Sequence, residues 1–182
     1  MRFLLLLLMI NLKPVENLKF ELLIGKDISH AIKTLNTDYN IFDADLGKVY
    51  IFQFDNSRKF FGFNYDKIVL GVDKSNVIQT LSINLSEYFD DNFYKLFTSE
   101  YGSPSKILGI KSRKKIGEII DSVEEEGRRI TETKLEMEEV TLSQDPLFVF
   151  WIKEDYQIKI LNRKKGFLKG SELTFSKVTN QI

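Results

Sequence analysis

Apolar and polar positions along this chain follow two different periods, and the two periods occur in a repeated order. Ile28, Ala31, Ile32 and Leu35 recur at i, i+3, i+4 and i+7, the spacing of one face of an α-helix. Asp27 stands just before them, where a carboxylate accepts the free backbone N–H groups of a first turn. Residues 37–47 read as a loop. Runs rich in β-branched and aromatic residues then follow near 49–55, 60–72 and 77–85, divided by the turn-forming clusters Asp55-Asn56-Ser57 and Asp73-Lys74-Ser75-Asn76. In the last of these runs Leu81, Ile83 and Leu85 alternate with Thr80, Ser82 and Asn84, which predicts a strand buried on one face only. The order then returns. A second helix is predicted from about Asp90 to Tyr101, with Phe93, Leu96 and Phe97 facing the core and Gly102 and Pro104 as its stop. Strands follow near 147–153, 157–162 and 172–178, with a tight hairpin at Glu154-Asp155 and a longer one at 162–166.

Two similar helix-plus-three-strand halves, about 24–85 and 89–178, predict an α+β fold: a two-layer sandwich, its antiparallel sheet carrying both helices on one face. The whole forms a single domain over 18–182. Residues 106–146 interrupt the second half. Ile116, Ile119, Ile120 and Val123 are spaced for a helix, whereas Thr131, Thr133, Leu135 and Met137 alternate as in a strand. Charges come in blocks there: basic from Lys111 to Lys115, acidic from Glu124 to Glu126, basic at Arg128 and Arg129, acidic from Glu136 to Glu139. The expectation is a solvated helix and hairpin, with a docking arm for a partner as the alternative.

Composition narrows the chemistry. The 182 residues carry 26 Lys and Arg against 26 Asp and Glu, so no net charge draws the chain to nucleic acid or to an anionic membrane. No cysteine is present, which excludes disulfides, thiol nucleophiles and thiolate zinc sites. At the N-terminus Arg2 precedes the apolar run Phe3 to Ile10, and Pro14 follows soon after. That run fits a short signal peptide over residues 1–17 and is too short to be a transmembrane segment. Its cleavage site is unusual, since no Ala, Ser or Gly occurs between residues 11 and 24. Export predicts a mature chain starting near Leu18 and a periplasmic or secreted protein; a cytoplasmic protein with Phe3 to Ile10 folded into its core is the alternative.

No catalytic constellation emerges. The single histidine, His30, falls opposite the apolar face of the first helix, without the partners that a metal cluster or a triad requires. Asp43 and Asp45 before Gly47 match half of a calcium loop but lack its remaining ligands, and turn chemistry accounts for them. Asp66, Asp73, Asp90 and Asp91 sit at predicted turns or helix starts, where Asp caps backbone groups; a hydrolase using such carboxylates is the alternative enzyme reading. The basic stretch from Lys111 and the aromatics Phe60, Phe61, Phe63 and Tyr65 are not interleaved, as a nucleic-acid groove would want. No metal, cofactor or nucleic acid is expected.

The entry Ile24-Gly25-Lys26 into the first helix, the close Tyr101-Gly102-Ser103-Pro104 of the second, and the aromatic strands Tyr50 to Phe54 and Phe148 to Trp151 resemble the β-lactamase-inhibitor-like and BamE-like families of two-layer α+β proteins. The resemblance implies an exported, non-enzymatic protein that binds another protein through an open sheet face. Two departures stand out: this chain has no cysteine to lipidate and none to form a disulfide. The leading expectation is therefore a protein-binding or scaffold module whose sheet face presents Tyr50, Phe52, Phe61, Phe63 and Trp151 to a partner protein. A cytosolic interaction protein using the charged 106–146 arm is the further alternative.

Overall fold

The computed structural model describes residues 18–85, 87–121, 128–144, 146–163 and 170–178. Among them, nine strands form one antiparallel sheet: β1 (Tyr39–Ala44), β2 (Gly47–Phe60), β3 (Phe63–Asp73), β4 (Ile78–Leu85), β5 (Lys106–Asp121), β6 (Arg128–Glu139), β7 (Phe148–Ile152), β8 (Tyr156–Arg163) and β9 (Gly170–Lys177). The strand order is β1-β2-β3-β4-β9-β8-β7-β5-β6. Among the same residues two α-helices interrupt the strands, α1 (Ile28–Leu35) and α2 (Asp91–Tyr101). The expected two-layer α+β sandwich is thereby corrected to a sheet-dominated fold. Lengths give the reason. Nine strands at about 4.8 Å spacing span roughly 40 Å, whereas an 11-residue helix reaches only roughly 16 Å. Helices of this size cover only part of one face of the sheet, so they do not form a layer across it.

Register explains how the core is built. Tyr50, Leu70, Leu81, Phe175, Ile158 and Trp151 lie opposite one another from strand to strand and make one buried row. Phe52, Ile68, Ile83, Leu173, Ile160 and Val149 make a second. Against these rows sit Ile28, Ala31 and Leu35 of α1, Phe93, Phe97 and Tyr101 of α2, and Phe20 and Leu23 of a 3-10 turn at Phe20–Leu23. The helix starts follow their sequence signals: Asp27 accepts from the Ser29 N–H at 2.9 Å and Asp90 from the Phe93 N–H at 2.8 Å. Leu96, expected inside, is exposed, and Tyr101 takes the core position one turn on, its hydroxyl donating to Glu21 at 2.9 Å. Burial, reinforced by that carboxylate, pushes the Tyr101 hydroxyl well above the ordinary tyrosine range, so it remains a donor.

A register shift in β2 between Gln53 and Arg58 bends the β2–β3 hairpin. Its two-residue turn takes positive φ at Phe61 (48°) and Gly62 (88°), the backbone of a tight hairpin. The bend brings Phe60 to 4.9 Å from Phe20 and 6.4 Å from Phe97, ring to ring, so the hairpin tip closes over the helices. At the other end of α2 a buried polar triangle fixes its approach. The Phe89 N–H donates to Ser171 Oγ (2.8 Å) and Asn162 Oδ1 (3.2 Å), while the Ser171 hydroxyl donates to Asn162 Oδ1 (2.6 Å).

Two further expectations change. Residues 39–44, read as loop, form β1. Residues 106–121, read in part as a helix, are one long strand that pairs with β6 as a two-stranded ribbon. The ribbon carries register shifts between Ile110 and Ser112 and between Lys115 and Gly117. Each adds a residue to one strand, so the apolar period drifts from two and imitates helical spacing at Ile116, Ile119 and Ile120. Residues 1–17, Val123 and the connection 164–169 lie outside the described residues, and with them the signal peptide and most of the longer hairpin turn.

Candidate interaction edge

The five aromatics expected on an open face lie in the core. Tyr50, Phe52, Phe63 and Trp151 are buried, and Phe61 is half-buried with its ring 4.8 Å from Phe60 and 5.4 Å from Phe97. Alternation identifies which residues share a face; it does not say which face the helices cover. Here the aromatic face is the covered one. The Trp151 indole N–H also donates to the Gly102 carbonyl at 2.8 Å, tying β7 to the end of α2.

Exposed large apolar side chains occur singly at Leu22, Leu96 and Ile152 and on the β5–β6 ribbon at Ile116 and Leu135, and they cluster at one edge of the sheet. Strand β1 is exposed along its whole length. Tyr39 is 37% exposed, Ile41 48%, Phe42 53% and Leu46, in the β1–β2 turn, 85%. Register places Tyr39 opposite Phe52 and Ile41 opposite Tyr50, so these two extend the buried rows past the last covered position. The Tyr39 ring lies 5.1 Å from Phe52 and 5.7 Å from Tyr50. Phe42, opposite Val49, projects from the other face. Apolar side chains thus flank the strand on both sides, while its outer backbone edge pairs with no other strand among the described residues. Around them stand Asp38, Asp43 and Asp45, all exposed. Lys48 faces Asp43 across the hairpin. At the opposite edge of the sheet, β6 presents Glu132, Lys134, Glu136 and Glu138, the charged surface that keeps an edge strand from pairing. The β6 edge is the more charged of the two, although Leu135 is exposed on it as well.

Two clefts among the described residues bear on what else the surface could bind. One, of about 600 Å³, is lined by Asn64, Asp66, Lys67, Asn84, Arg163 and Glu172 among others, the last two ion-paired with each other. The other, of about 770 Å³, opens where β5 parts from β7 and includes Ile110, Lys111, Arg113, Val140 and Arg163. The turn carboxylates do structural work. Asp73 accepts from the N–H groups of Ser75 (2.8 Å) and Val77 (3.0 Å) and from the Gln79 amide (2.6 Å). The Val77 N–H above all, with Ser75, Gln79 and the Lys177 charge, holds its carboxyl below the ordinary range. Asp90 caps α2, and His30 points to solvent on α1. Among the described residues no group of three or more His, Asp or Glu is placed to hold a metal ion, and no helix is long and apolar enough to cross a membrane.

Sequence reasoning missed β1 because the turn-formers Asn36 and Asp38 precede it, Asp45 and Gly47 follow it, and Asp43 within it reads as part of the same turn. The signal that marks it is the alternation of Tyr39 and Ile41 with Asn40. Compared with known proteins, the chain matches no family model, no curated sequence and no solved structure, so neither the resemblance noted above nor any relative's activity adds to what its own geometry supports.

Proposed function

We propose that the chain is a non-enzymatic protein-binding module, and that its contact is the edge strand β1, to which a partner adds a strand. One observation carries the reading: β1 exposes Tyr39, Ile41 and Phe42 on both faces of an edge that no other described strand covers. An added strand satisfies the outward N–H and C=O groups and buries those side chains together. Complete burial of a large apolar side chain is worth about 1.5–3 kcal/mol, and half-exposed ones gain about half of that. Three such residues and a ladder of backbone bonds suffice for a specific contact.

The test uses a photo-crosslinking amino acid in place of Phe42 in the native host. Discrete adducts are expected from Phe42, reduced at least tenfold by Ile41→Lys, with none from the same probe at the exposed Lys33 of α1. Equal yield from the two positions would sink the reading.

The basic start and apolar run of residues 2–10 further support export of this module. The expected intact mass in the native host is therefore short by roughly 11–20 residues, the span of a short signal peptide. A full-length mass in the cytosol would instead make this an intracellular interaction protein.

A further inference from the structure

We propose that the strand received by β1 is the basic strand β5 of a second copy of the chain, so that copies associate head to tail through opposite ends of their sheets. This rests on β1 being a docking edge and adds what docks there. Strand β5 pairs with β7 only through Lys106, Ile107 and Leu108. From Gly109 onward the side of β5 turned away from β6 has no neighbouring strand among the described residues, and it borders the 770 Å³ cleft. A strand seated there continues the pairing that β7 begins.

The two ends match in chemistry. The cleft offers the cations Lys111, Arg113 and Arg163 beside the apolar Ile110 and Val140, against one carboxylate, Glu138. Strand β1 and its flanks offer Asp38, Asp43 and Asp45, with the single cation Lys48 opposite Asp43, beside Tyr39, Ile41 and Phe42. Lys111 and Arg163 are each already ion-paired, with Glu136 and Glu172, whereas Arg113 stands in no ion pair with a described residue. Two copies joined β1 to β1 would instead bring both sets of aspartates into one interface, where like charges oppose pairing. The ribbon supplies a second reason. A two-stranded hairpin is marginal in water until a third strand joins it, and this one leaves Ile116 and Leu135 exposed. Because the two patches differ, every copy added leaves one of each free, and growth does not close on itself unless the rotation makes a ring.

Sedimentation velocity on the purified chain tests this. At about 0.01 M salt, where charges act over about 30 Å, the average mass should rise with protein concentration, and at about 1 M salt it should fall back to monomer. A β1 variant (Ile41→Lys with Phe42→Lys) and a cleft variant (Arg113→Glu) should each remain monomeric, with wild-type circular dichroism. Mixed in equal amounts they should form a heterodimer, since each retains the surface that the other has lost. A cleft variant that associates as well as wild type would show β1 pairing with itself and overturn the proposal. A wild type that stays monomeric throughout would overturn it too. If Phe42 still crosslinks in cells in that case, the β1 reading stands and only its occupant is wrong.

Discussion

Replacing Trp151 with alanine should lower the free energy of unfolding by about 3–5 kcal/mol, the cost of deleting a large aromatic from a closed core. The side chain is fully buried and meets Phe97 at 4.8 Å and Phe89 at 6.3 Å, so the space it leaves has rigid rings for walls. It ends one of the two rows that cross the sheet and is the point at which α2, β7 and β8 meet. Trp151→Phe separates packing from hydrogen bonding. It keeps an aromatic ring in the site but removes the donor to the Gly102 carbonyl, which water can reach, so the lost bond costs about 0.5–1.5 kcal/mol. Urea unfolding should show a lower midpoint for both variants, larger for alanine, with an unchanged slope. A midpoint within error of wild type for Trp151→Ala would mean that α2 is not seated on this part of the sheet.

Gly47→Ala should be nearly as costly, at roughly 2–5 kcal/mol, for backbone reasons. A Cβ built at Gly47 falls 1.9 Å from the Val72 carbonyl oxygen and 2.8 Å from the Asp73 Cα, both main-chain atoms that no rotamer change can move aside. Its φ of 155° adds strain for an L-residue. The β1–β2 hairpin must therefore lift from β3. Hydrogen exchange should show protection lost over β1 and the start of β2 while β8 and β9 keep theirs, and crosslinking from Phe42 should fall with it. Gly25→Ala is the control. Gly25 has a φ of 77° but nothing within 4 Å of the added methyl, so only about 1 kcal/mol of conformational strain is expected. Equal losses at the two glycines would refute the steric argument.

Much of the local structure is legible in the residues. The capping aspartates at 27 and 90, the Asp73 turn and the alternation in β4, β8 and β9 are all short-range signals, and each element lies where its own side chains place it. What fails is non-local. Tyr50, Phe52 and Trp151 alternate as strand residues do, but only the pairing of β4 with β9 and the seating of α2 decide that their face is the covered one. The β5 bulges mislead for a related reason, since a period-two pattern broken by one extra residue is not periodic at all. The candidate edge was overlooked because a strand with nothing beyond it needs no buried alternation. Its six residues look like a loop until their register with β2 is known.

The pairing of β4 with β9 has a consequence for the chain as it is made. The two strands in the middle of the sheet are its two most distant neighbours in sequence, residues 80–85 against 171–176. A ribosome adding roughly 5–20 residues per second takes roughly 5–20 s to cross that interval. For that time β4, with Leu81, Ile83 and Leu85 on one face, waits as an unpaired edge. The nascent N-terminal meander thus carries an uncovered apolar edge that favours aggregation until β9 is made. Its yield in a cell is governed by how soon β9 arrives to cover it.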